Sequence, residues 1–379
     1  IDFDLRQIEI EDNGVGVHSN KARTVLLSIG ASAKDGLETR GFRGIGRLAG
    51  LAYAETVVFE TSSFGDKAKT ILACDCNKMK KLLQRDNSEV SDVMEAFKAI
   101  STITYVDEPR ESHYFMVRLE GVDEKSPLLN ESIVSNYISE TAPIDFDLQR
   151  FPHATKIDKQ FLDWDANIPC YKVYFGKRKL EVTKPYGRSI QTKKSKRDLI
   201  RDIEFHEDYS KDGSPLYYAW IALTSFAGII DDEKVAGIRL RKGNILIGNG
   251  NTFSKYFPEV IANRMFVGEV HVVHPSLIPN SQRDDFEQND IYDELCVSLR
   301  NWASSLNKNY RRGIGQANNA REKLDKQLDE LTELQSEIRS GSITSDKKRE
   351  QYQRKTETLK KQIEASKKKV DHFKKKGFY

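Results

Sequence analysis

The sequence predicts an α+β fold, in which two units of mixed strands and helices are followed by a helical tail. Three observations predict this class. Near the N-terminus, short segments alternate apolar and polar residues and end at glycine-containing turns, as strands do. Segments rich in β-branched and aromatic residues return after residue 170. From Arg321 onward, apolar residues recur mostly every three or four positions, which is typical of a helix with one apolar face.

The composition limits the class of protein. The 379 residues suggest two or three domains at roughly 150 residues each, and a hydrophobic content of 38% suffices for a core. The chain contains no run of about 18 apolar residues, so we expect no membrane span. Its four cysteines are too few and too scattered for a disulfide framework or a zinc site. We therefore expect a cytoplasmic protein without a structural metal.

Residues 1–125 predict the first α/β domain. Leu5 to Glu11 alternates like a strand and ends at the turn-forming sequence Asp12-Asn13-Gly14. We expect helices at 20–30, 47–54 and 89–100, a glycine-rich loop at 32–47, and further strands at Val57–Thr61, Thr70–Asp75 and Tyr114–Glu120.

Residues 126–310 predict a second domain, which is β-rich from about Pro143 onward. Its predicted strands are Cys170–Phe175, Ile203–Glu207, Tyr217–Thr224 and Ile238–Ile247, and its predicted helices are 257–264 and 290–307. The segment Lys184–Arg201 is basic and polar, so we expect a mobile loop there.

Residues 315–379 predict a basic helical tail. Residues 321–379 contain 17 Lys and Arg against 11 Asp and Glu, a net charge of +6; because the whole chain carries +3, residues 1–320 carry −3. The predicted apolar faces comprise Leu324, Leu328, Leu331 and Ile338, then Leu359, Ile363, Ser366, Val370 and Phe373. Ser340-Gly341-Ser342 separates two helices, which form an antiparallel hairpin or a longer coiled coil. The Lys runs at 367–369 and 374–376 form either a solvated face or a surface for a partner helix or nucleic acid.

Two glycine-rich motifs bear on ligand binding. In Glu11–Val17 a strand ends in the carboxylate of Asp12, and Gly14 and Gly16 let the backbone turn sharply and approach a ligand closely. A carboxylate fixed there can accept a hydrogen bond from an exocyclic amine such as that of adenine. Taken alone, this D-x-G-x-G pattern also fits an ordinary tight turn after a strand.

The second motif, Gly41–Arg47, leads into an apolar helix start. Glycines at this G-x-x-G-x-G spacing free backbone N–H groups to face an anion, and the following helix N-terminus adds the positive end of its dipole. The motif lacks the Gly-Lys-Ser/Thr ending of a Walker A loop and the preceding strand of a Rossmann turn. Between the two motifs lies Ser28–Lys34, a short segment that carries a lysine.

In this order, the turn, the helix, the lysine-bearing segment and the second glycine-rich loop resemble the Bergerat-fold GHKL ATPases, which include gyrase, heat-shock-ninety chaperones, MutL mismatch-repair proteins and microrchidia ATPases. The resemblance implies an α/β sandwich that binds ATP and Mg²⁺. In it the Asp binds the adenine amine, the second Gly of the turn packs beneath the base, and the second loop holds the phosphates. The implied nucleotide-binding residues are Asp12, Gly14, Gly16, Ser28, Ile29, Lys34, Gly41, Phe42, Arg43, Gly44, Ile45 and Gly46.

Further along the chain, His274–Asp284 is similar to the catalytic loop of the heat-shock-ninety middle domain. There an Asn and an Arg three positions apart reach the terminal phosphate, which implies Asn280 and Arg283 here, with Gln282 beside them. An Arg delivered from a second domain makes charge-assisted bonds to a γ-phosphate. The preceding strands then resemble the ribosomal S5-like βαβ transducer domain of this superfamily. On its own, the loop also fits a polar surface turn.

The sequence departs from this superfamily at two places. In the family, a helix that carries the catalytic Glu and the Mg²⁺-binding Asn precedes the D-x-G-x-G turn, whereas only 11 residues precede Asp12 here. We expect both residues upstream of Ile1. The Gly-Thr that opens the last strand of the ATP domain is also absent, so Ser112 or His113 is expected to take its place.

The resemblance implies an ATP-hydrolysing conformational clamp, a homodimer that closes on ATP and remodels a protein client as the heat-shock-ninety chaperones do. Two alternatives stay open. One is a DNA-engaging ATPase of the MutL or microrchidia type, in bacterial genome defence, that contacts double-stranded DNA through the basic tail. The other is a nucleotide-gated scaffold without catalysis, whose tail recruits an effector.

Overall fold

A computed structural model of the chain describes residues 1–28, 46–83, 93–193, 197–225, 228–339 and 346–375. The chain divides into two units. The first unit comprises Ile1–Ile138 and Tyr174–Val182, and the second comprises Ser139–Val173 and Thr183–Tyr379. Each unit combines a five-stranded sheet with helices, which confirms the predicted α+β class.

An antiparallel sheet forms the centre of the first unit. Its strands, in spatial order, are β1 (Ile8–Asp12), β5 (Tyr114–Glu120), β2 (Thr56–Ser62), β3 (Ala68–Asp75) and β4 (Ser101–Asp107). The helices are α1 (Ser19–Leu27), α2 (Cys76–Leu83), α3 (Val93–Ile100) and α4 (Glu131–Thr141), with 3₁₀ helices at Gly46–Ala52 and Pro127–Leu129. The register pairs Asp12 with Phe115, so the end of β1 lies beside the start of β5.

Helices cover one face of this sheet, because its strands carry a β-branched or aromatic residue at alternate positions. Val57 and Phe59 of β2 and Leu72 of β3 are buried together with Leu26 of α1 and Phe97 of α3. Burial of an apolar side chain of this size stabilises a fold by about 1.5–3 kcal/mol. This core keeps rigid the strand ends that the D-x-G-x-G turn contacts.

The sheet of the second unit contains one parallel pair. Its spatial order is β10 (Asp202–Tyr209), β11 (Pro215–Leu223), β14 (Val267–Val272), β12 (Gly237–Lys242) and β13 (Ile245–Leu246). β12 and β14 run parallel, and 3₁₀ helices at Thr252–Tyr256 and Val260–Met265 lie in the crossover that a parallel pair requires. Of two further pairs of short strands, β8 (Ser189–Gln191) with β9 (Arg197–Leu199) lies in this unit. The pair of β6 (Val173–Phe175) with β7 (Leu180–Val182) lies, apart from Val173, in the first unit.

Both faces of this sheet are buried, because successive side chains of a strand point to opposite faces. On β11, Ile221 belongs to the core formed with the first turns of α6 (Asp290–Arg339), which includes Leu299. The neighbouring Trp220 belongs to the other core, which α5 (Ala154–Asp163) closes through Ile157. The sheet is therefore the middle layer of three.

Beyond the sheet, α6 packs against α7 (Asp346–Lys375). The buried contacts between them comprise Leu334, Leu359 and Ile363, with Leu324, Leu331 and Tyr352 partly buried beside them. Ser366 of α7 donates a hydrogen bond to Gln327 of α6, and Lys355 of α7 pairs with Glu330 of α6. The residue that comes first in α7 thus contacts the residue that comes second in α6, so the two helices are antiparallel. Leu328, expected on the apolar face, is 37% exposed. Within the described ranges, no helix has the length and apolar composition needed to cross a membrane.

Several predicted elements differ in the structure. The single strand expected at Ile238–Ile247 is divided into β12 and β13, and the helix expected at 257–264 is the 3₁₀ helix at Val260–Met265. The prediction of a mobile loop over Lys184–Arg201 was wrong for its described part, which contains β8 and β9 and buries the side chains of Lys184 and Tyr186. The lysine can be buried because it pairs with a carboxylate 85 residues away in sequence. The helix expected at 47–54 is instead the 3₁₀ helix at Gly46–Ala52, whose two glycines disfavour α-helix.

Candidate functional site

The D-x-G-x-G turn begins where β1 ends, at an exposed carboxylate. The backbone N–H of Gly14 donates to Oδ1 of Asp12 at 2.9 Å, which fixes the carboxylate in a tight turn. Among the described residues, none donates to Oδ2 of Asp12. The turn therefore presents one oriented carboxylate oxygen as a hydrogen-bond acceptor.

Gly16 brings the turn into direct contact with the strands behind it. Its φ of +65° lies in the left-handed region, and a Cβ at this position would lie 1.7 Å from the carbonyl oxygen of Ser62 and 2.9 Å from that of Tyr114. Only glycine fits, because these neighbours are backbone atoms that cannot rotate away. The sequence pattern thus marks a real steric requirement at the ends of β2 and β5.

A set of hydrogen bonds anchors the rest of the turn to the sheet. The N–H of Val17 donates to Oγ1 of Thr61 at 2.9 Å, and this hydroxyl donates to the carbonyl of Tyr114 at 2.9 Å. Nδ1 of His113 lies 3.0 Å from the carbonyl oxygen of Gly14, so Nδ1 carries the proton of this bond. His113, one of the two residues expected to replace the family's Gly-Thr, therefore contacts the turn.

The start of α1 is fixed by Asp66, which the sequence gave no reason to select. Its Oδ2 accepts from the N–H of Ser19 at 2.6 Å, and its Oδ1 accepts from the Ser19 hydroxyl at 3.0 Å. A carboxylate at a helix N-terminus also interacts favourably with the helix dipole. At the other end of α1, the hydroxyl of Ser28 donates to the carbonyl of Thr24 at 2.6 Å, so this expected nucleotide-binding residue closes the helix.

Most of the predicted phosphate-binding and lid residues cannot be compared with the structure. Ile29, Lys34, Gly41, Phe42, Arg43, Gly44 and Ile45 lie outside the described residues. Gly46 is the first residue of the 3₁₀ helix at Gly46–Ala52. The described part of the predicted site is therefore the part that is expected to bind the base.

The three predicted catalytic residues share one loop of the second unit. The amide of Asn280 donates to Oδ1 of Asp284 at 2.7 Å and its Oδ1 accepts from the Asp284 N–H at 3.2 Å, so this side chain holds the loop together. Arg283 has a φ of +57° and its carbonyl accepts from the N–H of Gly248 at 2.8 Å. Arg283 is half-buried and Gln282 is exposed. The loop thus fixes the backbone from which the arginine extends.

A half-buried lysine that sequence reasoning missed holds the start of this loop. Nζ of Lys242, the last residue of β12, donates to the carbonyl oxygens of Val273 at 3.2 Å and His274 at 2.7 Å. Burial lowers the pKa of Lys242 to about 8. Carbonyl dipoles satisfy this ammonium, so the lysine positions the backbone that leads to Arg283.

The second unit also contains a buried charge network around Glu269, which no sequence pattern indicated. Oε1 of Glu269 accepts from Arg241 Nε at 2.6 Å and Tyr186 OH at 2.9 Å, and Oε2 accepts from Lys184 Nζ at 2.7 Å and lies 3.0 Å from His271 Nε2. Burial alone would raise the pKa of Glu269, but Arg241 and Lys184 beside it hold that pKa well below its usual range. Glu269 is therefore ionised at neutral pH.

A metal site is not formed by the described residues. They contain no group of three or more His, Cys, Asp or Glu side chains able to hold an ion. Mg²⁺ at ATPase sites is usually held by one or two protein ligands together with substrate phosphates, so it does not need such a group.

Comparison with known proteins gives one match. Residues 2–103 match the family described as "Histidine kinase-, DNA gyrase B-, and HSP90-like ATPase". The matched segment contains the D-x-G-x-G turn, α1 and strands β1 to β3, and it ends before β5. No curated protein matches the chain.

Proposed function

We propose that this chain, which belongs through residues 2–103 to the GHKL superfamily of histidine kinase-, DNA gyrase B- and HSP90-like ATPases, is an ATP-driven conformational clamp. Its first unit carries a GHKL-type ATP-binding ATPase domain. The finer assignments are residues 1–125 as the ATP domain, 126–310 as a transducer domain and 315–379 as a coiled coil.

One observation carries the ATP-binding proposal. The N–H of Gly14 donates to Oδ1 of Asp12, and Oδ2 of this exposed carboxylate is left as an acceptor. The exocyclic amine of adenine is a donor of the matching kind. Gly16 places bare backbone next to it, which leaves room for the flat face of a base.

The catalytic part of the proposal assigns Arg283 to the γ-phosphate of bound ATP. A guanidinium forms two parallel charge-assisted bonds to phosphate oxygens, and it stabilises the charge that develops during phosphoryl transfer. The loop that carries Arg283 is already fixed by Asn280 and Lys242, so little ordering remains when nucleotide binds. ATP binding then favours a closed homodimer, and hydrolysis reopens it.

Calorimetry with ATP on the full chain tests the binding site. Asp12→Asn keeps an oxygen for Gly14 but turns an NH₂ group toward the adenine amine, so two donors face each other. We expect binding about 10- to 100-fold weaker, since an unmatched polar contact costs about 1–3 kcal/mol. Glu11→Gln, on the adjacent exposed position of β1, is the control and should bind normally. Equal affinity of the two variants would refute the site.

The role of the second-unit loop is tested by turnover. Arg283→Ala should leave the ATP affinity within a factor of a few and lower the hydrolysis rate by about 10²–10³-fold, the usual effect of removing one transition-state donor. Ser281→Ala, at an exposed position of the same loop outside the predicted catalytic set, serves as the matched control. A variant of Arg283 that hydrolyses ATP at the normal rate would remove this loop from the mechanism.

A second candidate function is supported by the tail. Lys367, Lys368 and Lys369 are exposed on α7, whereas Ser366 and Val370 face α6. A continuous exposed run of lysines favours a DNA-engaging ATPase, because duplex DNA is bound mainly through its phosphates. Binding that falls steeply with salt and is lost on changing these three lysines to Gln would support this candidate. Salt-insensitive binding of a protein client would favour the chaperone-type remodeller, and nucleotide binding without turnover would favour the scaffold.

A further inference from the structure

The second unit contains a cavity beside α5 that the ATP-binding proposal does not use. Its volume is about 480 Å³, within the range of about 300–1,000 Å³ typical of small-molecule sites. Apolar side chains form part of its wall, namely Phe146, Phe161, Leu162 and Ile168. We call it the α5 cavity.

The floor of the α5 cavity is made of polar side chains that are almost fully buried: Lys184, Asn244 and His271. Lys184 is already committed, because its Nζ donates to Glu269 at 2.7 Å and to Oδ1 of Asn244 at 2.9 Å. The amide nitrogen of Asn244 donates in turn to Sγ of Cys170 at 3.2 Å. These bonds fix the orientation of the floor.

His271, which lines this cavity, carries an unused acceptor. Because Glu269 is ionised, the ring nitrogen Nε2 of His271, 3.0 Å from it, carries the proton. Burial lowers the pKa of His271 to about 4, so the ring is neutral and its Nδ1 has a lone pair. Nδ1 is buried and has no hydrogen-bond partner in the described part of the chain. A buried unpaired acceptor is costly, and a donor from a ligand would satisfy it.

Exposed carboxylates line the outer part of the cavity: Asp145, Asp158 and Asp165. Among the described residues, none of the three forms an ion pair with a Lys or Arg. Burial and then the nearby Asp145 raise the pKa of Asp158, and the ammonium of Lys184 opposes this shift by a smaller amount. The only ammonium in the wall, Lys184, is held by Glu269. The free groups of the cavity are therefore acceptors with a net negative charge.

We propose that the α5 cavity binds an aliphatic ammonium or guanidinium group. The cationic head lies between Asp145 and Asp158, one of its N–H groups donates to Nδ1 of His271, and the aliphatic stem packs on Phe161 and Leu162. Such a head occurs in free diamines and guanidines and in the Lys or Arg side chain of a peptide. This site goes beyond the proposed ATPase function, and its existence does not depend on that function.

Calorimetry on the full chain with agmatine, which carries both cationic heads on an aliphatic stem, tests the proposal. Agmatine should bind, and 1-butanol, which has the same four-carbon stem without the charge, should not. Asp158→Asn should weaken agmatine binding about tenfold or more, because it removes one charge-assisted hydrogen bond. Asp163→Asn is the matched control, since Asp163 is exposed on the same helix but does not line the cavity.

A second arm identifies the source of the cation. If a blocked Gly-Arg-Gly peptide binds and agmatine does not, the site takes a peptide side chain; if agmatine binds, the site takes a free amine. In either case, the ¹⁵N resonance of His271 Nδ1 should move as its lone pair accepts a hydrogen bond. The proposal is overturned if neither probe binds, if the Asp158 and Asp163 variants lose affinity equally, or if the Nδ1 resonance does not move at saturation.

Discussion

Replacing Glu269 by Gln should destabilise the second unit by about 3–5 kcal/mol, the usual cost of removing one partner from a buried ion pair. Four donors reach its two oxygens: Arg241 and Tyr186 at Oε1, Lys184 and His271 at Oε2. A Gln keeps one oxygen for the first pair but turns an NH₂ group toward the second pair. Both cations are almost fully buried, so water cannot replace the lost charge.

Tryptophan fluorescence during urea unfolding measures this loss in the correct unit. The three tryptophans, Trp164, Trp220 and Trp302, all lie in the second unit, so the first unit does not contribute to the signal. Glu233→Gln is the matched control, because Glu233 is 81% exposed and forms a surface pair with Arg264 at 3.1 Å. A surface pair contributes at most about 1 kcal/mol. Equal and small losses in both variants would show that the network around Glu269 does not stabilise this unit.

Three further predictions concern single positions. Gly16→Ala should unfold the first unit or abolish ATP binding, because its Cβ would lie 1.7 Å from a carbonyl oxygen. Gly65→Ala, whose Cβ meets open space and adds only backbone strain, should lower the free energy of unfolding by about 1 kcal/mol. Circular dichroism and calorimetry compare the two variants. Ser366→Ala should lower the stability of the tail by about 1–3 kcal/mol, because it leaves the buried Gln327 unpaired. Adding Gln327→Leu to this variant should restore the stability. Thermal unfolding of the tail helices measures both effects. The pKa of His271 is lowered from 6.5 to about 4, so between these pH values the unfolded chain binds a proton that the folded protein excludes. The free energy of unfolding should therefore fall by about 3 kcal/mol as the pH falls through this window, and a His271→Gln variant should lack that part of the slope.

The D-x-G-x-G turn could be predicted from the sequence because its requirements are local. Gly16 must be glycine for its φ and for its neighbours, and the carboxylate of Asp12 follows a strand whose alternation is visible in the sequence. The resemblance to the GHKL ATPases followed from the order of such local motifs, and the family match over residues 2–103 confirms this resemblance. The heat-shock-ninety or MutL subtype stays a prediction.

The buried network of the second unit could not be predicted, because its members lie far apart in the sequence. Lys184 stands in a polar, basic stretch, which indicates an exposed loop unless its partner is known. That partner, Glu269, lies on β14 between apolar residues and looks like an ordinary charged residue of a strand. Only the pairing of strands brings the two together, and local composition carries no information on such pairing.

The tail shows a smaller failure of the same kind. The apolar series placed Leu328 on the buried face, but Gln327 occupies that position because its amide bonds to Ser366 of the other helix. A helix face is predicted from the spacing of apolar residues alone, so the prediction misses a polar residue that is buried because it forms a hydrogen bond. The α7 series, which includes Ser366, was placed on the buried face, where Leu359 and Ile363 are found.

The central claim is that Asp12 recognises the adenine amine. The most direct test compares the affinities for ATP and for inosine triphosphate, in which a carbonyl oxygen replaces that amine. The wild-type chain should bind ATP at least tenfold more tightly, because the free oxygen of Asp12 accepts from the amine and repels the carbonyl. Asp12→Asn should abolish or reverse this preference, since its NH₂ group donates to the carbonyl while its oxygen still accepts from Gly14. The same preference for ATP in both proteins would contradict the assignment of Asp12.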